Sequence, residues 1–94
     1  MRAWVYILRL KSGGLYVGYT TNLDRRTKAH FQGRACRTTF LDPALSIVYR
    51  EEFDSVDDAK TRESQLKRWS RAKKEALIRG DIVELKRLAK RRPK

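Results

Sequence analysis

Arg26 and His30 lie four residues apart in a stretch that reads as a helix, so they project from one face. A guanidinium there can neutralise an anion, and an imidazole can bind or exchange a proton near neutral pH. Arg25 is turned about 100° away, beside Lys28 on the solvent side. On a later helix Glu63 falls four after Ala59 and three before Leu66, on or beside the apolar stripe. A carboxylate so placed faces the sheet or its rim. It either pairs locally, with Lys60 or Lys67, or serves a site. Tyr6 and Tyr16 stand in two apolar segments rich in β-branched residues, where a tyrosine packs its ring and keeps its hydroxyl at the rim. Gly18, two residues after Tyr16, interrupts the second segment. A glycine inside a strand removes a packing side chain and marks a close approach by another group.

These groups need elements to hold them. AWVYILRL, residues 3–10, is apolar on both faces and reads as a central strand. KSGG is a turn signal, and LYVGY resumes the strand pattern, so residues 3–19 form a β-hairpin. Two loops are open to it. A two-residue loop at Ser12-Gly13 sends Tyr6 and Tyr16 to opposite faces. A three-residue loop with Gly13 left-handed pairs Leu10 with Gly14 and puts both tyrosines on one face. A helix follows, capped by Thr21 or Asn22 and running to Phe31, with Leu23, Thr27 and Phe31 on its inward side. Residues 32–45 read as irregular. LSIVYREEF, residues 45–53, is a third strand. Ser55-x-x-Asp58 opens a helix reaching about Trp69, Ser70 caps another to Arg79, and Gly80 suits its C-terminal cap. Asp81 caps a last helix, with Ile82, Leu85 and Leu88 on one stripe, and the tail KRRPK frays. The expected architecture is α+β, in the order β-β-α-β-α-α-α, with a short antiparallel three-stranded sheet flanked by helices.

The chain has 94 residues, 40% of them apolar, enough for a single domain with one small core. Residues 3–79 read as its body and residues 81–94 as a basic helix and tail. Lys and Arg number 23 against 11 Asp and Glu, a net charge of +12, which attracts polyanions, nucleic acid first among them. The single cysteine, Cys36, excludes an internal disulfide and a cysteine-rich metal site, and fits a reducing cytoplasm. The apolar run from Ala3 to Leu8 is cut by Arg9, too short for a signal peptide, and no stretch approaches the roughly 20 apolar residues of a membrane span.

Tyr6, the YVG of residues 16–18, Arg26 ten residues after Tyr16, His30 four later and Glu63 on a later helix together resemble the GIY-YIG nuclease family. The likeness is closest to its small stand-alone bacterial members, which are related to the excinuclease incision-subunit nuclease domain and to structure-specific endonucleases. It extends from residue 3 to about 79 and includes YREEFDS (49–55) and SRAKKEALI (70–78). The resemblance implies that Glu63 is the protein ligand of one divalent metal ion, Mg²⁺ or Mn²⁺. It implies that Arg26 neutralises the scissile phosphate and that Tyr16 activates or orients the attacking water. Tyr6 and His30 become supporting groups that position that water, share its proton or bind phosphate. Because both tyrosines must serve one site, it selects the register with Leu10 opposite Gly14, or another of the same parity. Two departures stand out. The first motif reads Trp4-Val5-Tyr6, without the leading glycine. The Asn that several relatives carry after the glutamate is also missing, since the only Asn here is Asn22. That affects one accessory substrate contact and leaves the metal ligand in place.

The expected function is a metal-dependent endonuclease that hydrolyses DNA in repair or in processing of structured, branched or single-stranded DNA, with RNA as a possible substrate. Arg34, Arg37, Lys67, Arg68, Arg71, Lys73 and Lys74 are the expected phosphate-tracking surface, which the last helix extends through Lys86, Arg87, Lys90 and Arg91. The competing readings are a nucleic-acid-binding module without activity and a basic amphipathic helix on anionic membranes. The intact set of five site residues argues against the first. The second is opposed by the scarcity of large aromatics in the last helix, whose apolar stripe is more simply explained by packing on the core.

Overall fold

The computed structural model describes residues 1–89. The expected KRRPK tail, with Lys90 and Arg91, lies outside them. The chain forms β1 (Ala3–Leu10), β2 (Leu15–Thr20), α1 (Leu23–Phe31), α2 (Arg37–Leu41), β3 (Ala44–Phe53), α3 (Val56–Lys67), α4 (Arg71–Arg79) and α5 (Ile82–Ala89). The sheet has the order β2-β1-β3 and is antiparallel throughout, which makes β1 central. That is why AWVYILRL is apolar on both faces. Ala3, Val5 and Ile7 pack with Ala59 and Leu66 of α3 on one side. Tyr6, Leu8 and Leu10 pack with Leu23 of α1 and Ala44 on the other.

The hairpin takes the three-residue loop. Leu8 faces Tyr16 and Tyr6 faces Gly18, and the Leu10 N–H donates to Gly14 O at 2.9 Å. Gly13 sits at φ 95°, a left-handed value that a side chain would resist. The parity places Tyr6 and Tyr16 on the same face, with ring centroids 6.5 Å apart.

Helix starts follow the capping signals. Asn22, not Thr21, caps α1: its side chain accepts from the Arg25 N–H at 3.1 Å. Thr21 fails because the preceding Thr20 hydroxyl takes the Asn22 N–H at 3.0 Å and turns the chain one residue later. Ser55, Ser70 and Asp81 accept from the N–H three residues on, in α3, α4 and the start of α5. Gly80 closes α4 at φ 71°.

Three expectations need correction. Residues 32–45 are not wholly irregular, because α2 lies within them and the order becomes β-β-α-α-β-α-α-α. A helix of five residues is too short to show periodicity. The inward side of α1 is Leu23, Thr27 and His30, while Phe31 is 45% exposed. The i, i+4, i+7 row leads to His30, and α2 packs over that row. Finally, α5 packs on α4 rather than on the sheet core, and its Ile82 stays exposed.

Candidate active site

The site forms over the β2 edge of the sheet. β1 supplies Tyr6, β2 supplies Tyr16, α1 supplies Arg26, and α3, from the opposite side of the sheet, supplies Glu63. All four line one cavity of about 370 Å³, together with Gly18 and Thr20. An edge strand is what permits this, since helices on the two faces can meet only where the sheet ends.

His30 does not line the cavity. It is 1% exposed and stands behind Tyr6, whose Oη lies 2.8 Å from His30 Nε2. The other ring nitrogen, Nδ1, is 3.0 Å from Thr39 Oγ1 of α2. The Thr39 hydroxyl donates to Cys36 O at 3.5 Å, which leaves it an acceptor for Nδ1–H. Nε2 is then the bare nitrogen and the Tyr6 phenol donates to it, a tautomer assigned from the network. Burial, and secondarily the charge of Arg26, hold the His30 pKa below its ordinary value, so the imidazole is neutral. Of the roles expected for His30, direct phosphate binding does not fit a ring with no free nitrogen and no exposure.

The close approach expected at Gly18 is made by Tyr6. The space above the glycine is filled by Tyr6: a Cβ at position 18 would lie 2.6 Å from Tyr6 Oη and 2.7 Å from its Cζ. Gly18 therefore admits the neighbouring phenol, which crosses β2 to reach His30.

Both tyrosines are protonated at neutral pH. Burial raises the Tyr6 pKa far above its ordinary value, with the nearby Tyr16 adding to the effect and Arg26 opposing it. Tyr16 is pushed up to about 12, by burial first and then by its contact with Cys36, against a lesser pull from Arg26. Burial alone would raise the Cys36 thiol, but hydrogen bonds from Thr39 and Tyr16 outweigh it and hold the pKa below the usual thiol value. Cys36 and Thr39 are thus part of the surroundings of the site, which the sequence did not reveal. Their helix was too short to recognise, and an i, i+3 Cys–Thr pair carries no signal by itself.

Glu63 satisfies both readings of its position. Its side chain is 15% exposed, it lines the cavity, and its Oε2 lies 3.2 Å from Lys67 Nζ one turn on. No cluster of three or more His, Cys, Asp or Glu side chains with metal-holding geometry occurs among the described residues. Any divalent ion here must rely on a lone carboxylate completed by water and substrate oxygens. Mg²⁺ accepts such a set, since it dehydrates reluctantly and takes one or two carboxylates beside phosphate.

The remaining basic residues divide. Arg34 lines a second cavity of about 340 Å³ with Arg25 and Arg26, and this cavity shares Thr20, Thr21 and Arg26 with the first. Arg37 is exposed on α2, and Lys67 is held at Glu63. Arg68 and Lys73 line a separate cavity with Trp69, Leu88 and Ala89 that shares no lining residue with the cavity of Tyr6, Tyr16, Arg26 and Glu63, and Lys73 Nζ sits 4.4 Å over the Trp69 ring. Arg71 is tied to Glu75 and to the Gly13 carbonyl, and Lys74 is half-buried on α4.

A three-stranded antiparallel sheet with helices on both faces places the chain in the α+β class. The chain belongs to the GIY-YIG family: residues 2–76 match the family described as the GIY-YIG catalytic domain. It is 41% identical over 75 residues to a UPF0213 protein of Natronomonas pharaonis, covering 80% of this chain and 88% of that one. A UPF0213 protein of Staphylococcus saprophyticus is 36% identical over 75 residues, with 80% and 92% covered. The solution structure of a UPF0213 protein from Bacillus halodurans superposes with a TM-score of 0.57 at 38% identity, over 92% of this chain and 94% of that one. Among the described residues no helix is long and apolar enough to cross a membrane.

Proposed function

We propose that this protein is a metal-dependent endonuclease that hydrolyses phosphodiester bonds in structured or damaged DNA, in the cytoplasm. The observation that carries the reading is the convergence of Tyr6, Tyr16, Arg26 and Glu63, from four separate elements, on one cavity. Membership of the GIY-YIG family supports nuclease chemistry and a nucleic-acid substrate.

Glu63 would hold the divalent ion, Mg²⁺ or Mn²⁺, and release Lys67 in doing so. When bound, that ion supplies Lewis-acid stabilisation of the departing oxygen. The protein does the rest. Arg26 offers its planar fork to the non-bridging phosphate oxygens and offsets the charge that builds there. Tyr16, protonated with a pKa of about 12, orients the attacking water as a hydrogen-bond donor and acceptor rather than removing its proton as a phenolate. Tyr6 points its proton at His30 Nε2, so as the water attacks, the water's proton passes to the Tyr6 oxygen while the Tyr6 proton passes to the neutral imidazole. His30, fixed by Thr39, acts through Tyr6 as a positioning residue. Arg25 and Arg34, in the adjoining cavity, hold neighbouring phosphates and make affinity fall with salt.

The deciding experiment incubates purified protein with branched, single-stranded and duplex substrates in Mg²⁺, Mn²⁺ or EDTA, beside the Glu63→Ala variant. Cleavage that requires metal and disappears in the variant is expected. Binding of all substrates with no cleavage in either metal would replace the proposal with a non-catalytic binding module.

A further inference from the structure

Trp4 is the second residue of the central strand, paired with Thr20 of β2 on one side and Glu52 of β3 on the other. It takes no part in the catalytic cavity. One part of its half-buried ring packs against the cluster around Tyr6 and Leu8. The ring also lines a separate cavity of about 490 Å³ with Thr21, Asn22, Asp24, Arg50 and Glu52. That volume is within the roughly 300–1,000 Å³ range of small-molecule sites.

Thr21 lines this cavity, the catalytic cavity and the arginine-lined cavity alike, so the three meet at the turn between β2 and α1. Their charges differ. The arginine-lined cavity carries Arg25, Arg26 and Arg34 and no carboxylate. The Trp4 cavity carries two carboxylates and one guanidinium, with an aromatic ring in its wall. A phosphate is drawn to the first and kept out of the second. A nucleic-acid strand crossing the turn would therefore leave its backbone on the arginine side and turn a base toward Trp4.

We propose that the Trp4 cavity is a base-reading site for a nucleotide flanking the scissile bond. The base stacks on Trp4, and the Asp24 and Glu52 carboxylates select an amino group on its Watson–Crick edge. This rests on the nuclease reading above. Aromatic stacking of unpaired bases and carboxylate acceptance from the cytosine N4 amino group are general recognition chemistry. Thymine presents an oxygen at the same position and is repelled by both carboxylates. Arg50 has no ion-pair partner within 4.0 Å among the described residues, so its guanidinium is available to base carbonyl and ring-nitrogen acceptors. Among the described residues Glu52 pairs only with the exposed Arg2, at 3.1 Å, a contact easily exchanged for a base. The other tryptophan is unsuited to stacking. Trp69 is already covered by Arg62, 5.2 Å from its ring centroid, and by Lys73, while Trp4 has no such cation over it among the described residues.

The test uses a Trp69→Phe variant, in which Trp4 is the sole tryptophan. Single-stranded dC and dT oligonucleotides of equal length are titrated in EDTA, reading Trp4 emission and, in parallel, anisotropy of a labelled strand. The dC strand is expected to quench Trp4 and to bind about 5- to 150-fold tighter than dT. In Trp4→Leu and Glu52→Gln variants, checked for an unchanged circular dichroism spectrum, the preference is expected to collapse while dT affinity holds. Saturating anisotropy with unchanged Trp4 emission, or a dC preference that survives Trp4→Leu, would overturn the base-reading site and leave the nuclease reading standing. Absence of binding by either strand and by duplex or branched DNA would overturn the nuclease reading and this inference with it.

Discussion

Tyr6 and Gly18 face each other across β1 and β2, and the tyrosine ring occupies the space that a side chain at position 18 would fill. The phenol can reach His30, 2.8 Å away, only by lying over that glycine. A Gly18→Ala substitution puts a Cβ 2.6 Å from the phenol oxygen and 2.7 Å from the ring carbon bearing it. The ring is rigid and 2% exposed, so it must tilt as a whole. Overpacking of this kind costs about 1–3 kcal/mol. A fall in Tm of at least several degrees is expected for a chain of this size. The cost should largely vanish when Tyr6→Leu is made first. Additive losses in that double-mutant cycle would break the assigned link between the two residues.

Buried and neutral, His30 ties stability to pH. Its folded pKa lies below the unfolded value of about 6.5. Above about pH 6.5 the imidazole is neutral in both states and contributes no slope. Below it the unfolded chain takes up a proton that the native site refuses, so stability falls until the folded pKa is reached. His30 is the only histidine, so this window is its own. The paired carboxylates Glu75 and Glu84 titrate lower, Glu75 held down by Arg9 and Glu84 by Arg87. Denaturant midpoints measured from about pH 7.5 to 5.5 should decline in the wild type and lie flat in His30→Gln. An equal decline in both would assign the slope elsewhere.

Much of this was legible in the sequence, for physical reasons that differ by element. β1 showed itself because a central strand is buried on both faces. The Thr21-Asn22 pair, Ser55, Ser70 and Gly80 showed the helix ends because orphan backbone groups demand those residue types, though only the structure chose Asn22 over Thr21. The register of the hairpin needed more than local pattern, since Ser12-Gly13-Gly14 is compatible with two loops. The requirement that Tyr6 and Tyr16 share a site selected the right one. The layer behind the site was not legible. Thr39 holds His30 and Cys36 touches Tyr16 only because α2 packs on α1, and long-range packing of a five-residue helix leaves no periodic trace. His30 itself was identified by spacing, but its complete burial depends on that same helix.

The high pKa of Tyr16 separates two roles that sequence cannot distinguish. A phenolate base would make the rate climb about tenfold per pH unit below a pKa of about 12. A protonated phenol that orients water, with the water's proton leaving through Tyr6 to a His30 already neutral in this range, gives no such climb. We expect the Mg²⁺-dependent rate to lack a tenfold-per-unit rise between about pH 8 and 10. In the metal-free protein, the absorbance difference at about 295 nm between wild type and Tyr16→Phe should stay flat up to about pH 11. Early ionisation of Tyr16 in that titration would restore the base assignment.

Arg25 and Arg26 are adjacent and both exposed, yet the fold gives them different surroundings. Arg26 shares a cavity with Tyr6, Tyr16 and Glu63, close enough to oppose the rise that burial gives both tyrosine pKa values and to add to the lowering that burial gives His30. Arg25 lines only the adjoining cavity, with Arg34. Removing a preorganised group that stabilises developing charge costs about 10²–10³ in rate. Removing a phosphate contact weakens binding across sequences and reduces its salt dependence by about one unit of slope. Arg26→Ala should therefore lower kcat by about 10²–10³, as should Glu63→Ala. Arg25→Ala should leave kcat near wild type, raise KM, and flatten the plot of log affinity against log salt. Measured on one substrate at several salt concentrations, the three variants give a direct comparison. A loss of kcat in Arg25→Ala as deep as in Arg26→Ala would mean that the helix face does not discriminate between the two arginines, and the placement of the scissile phosphate at Arg26 would have to be abandoned.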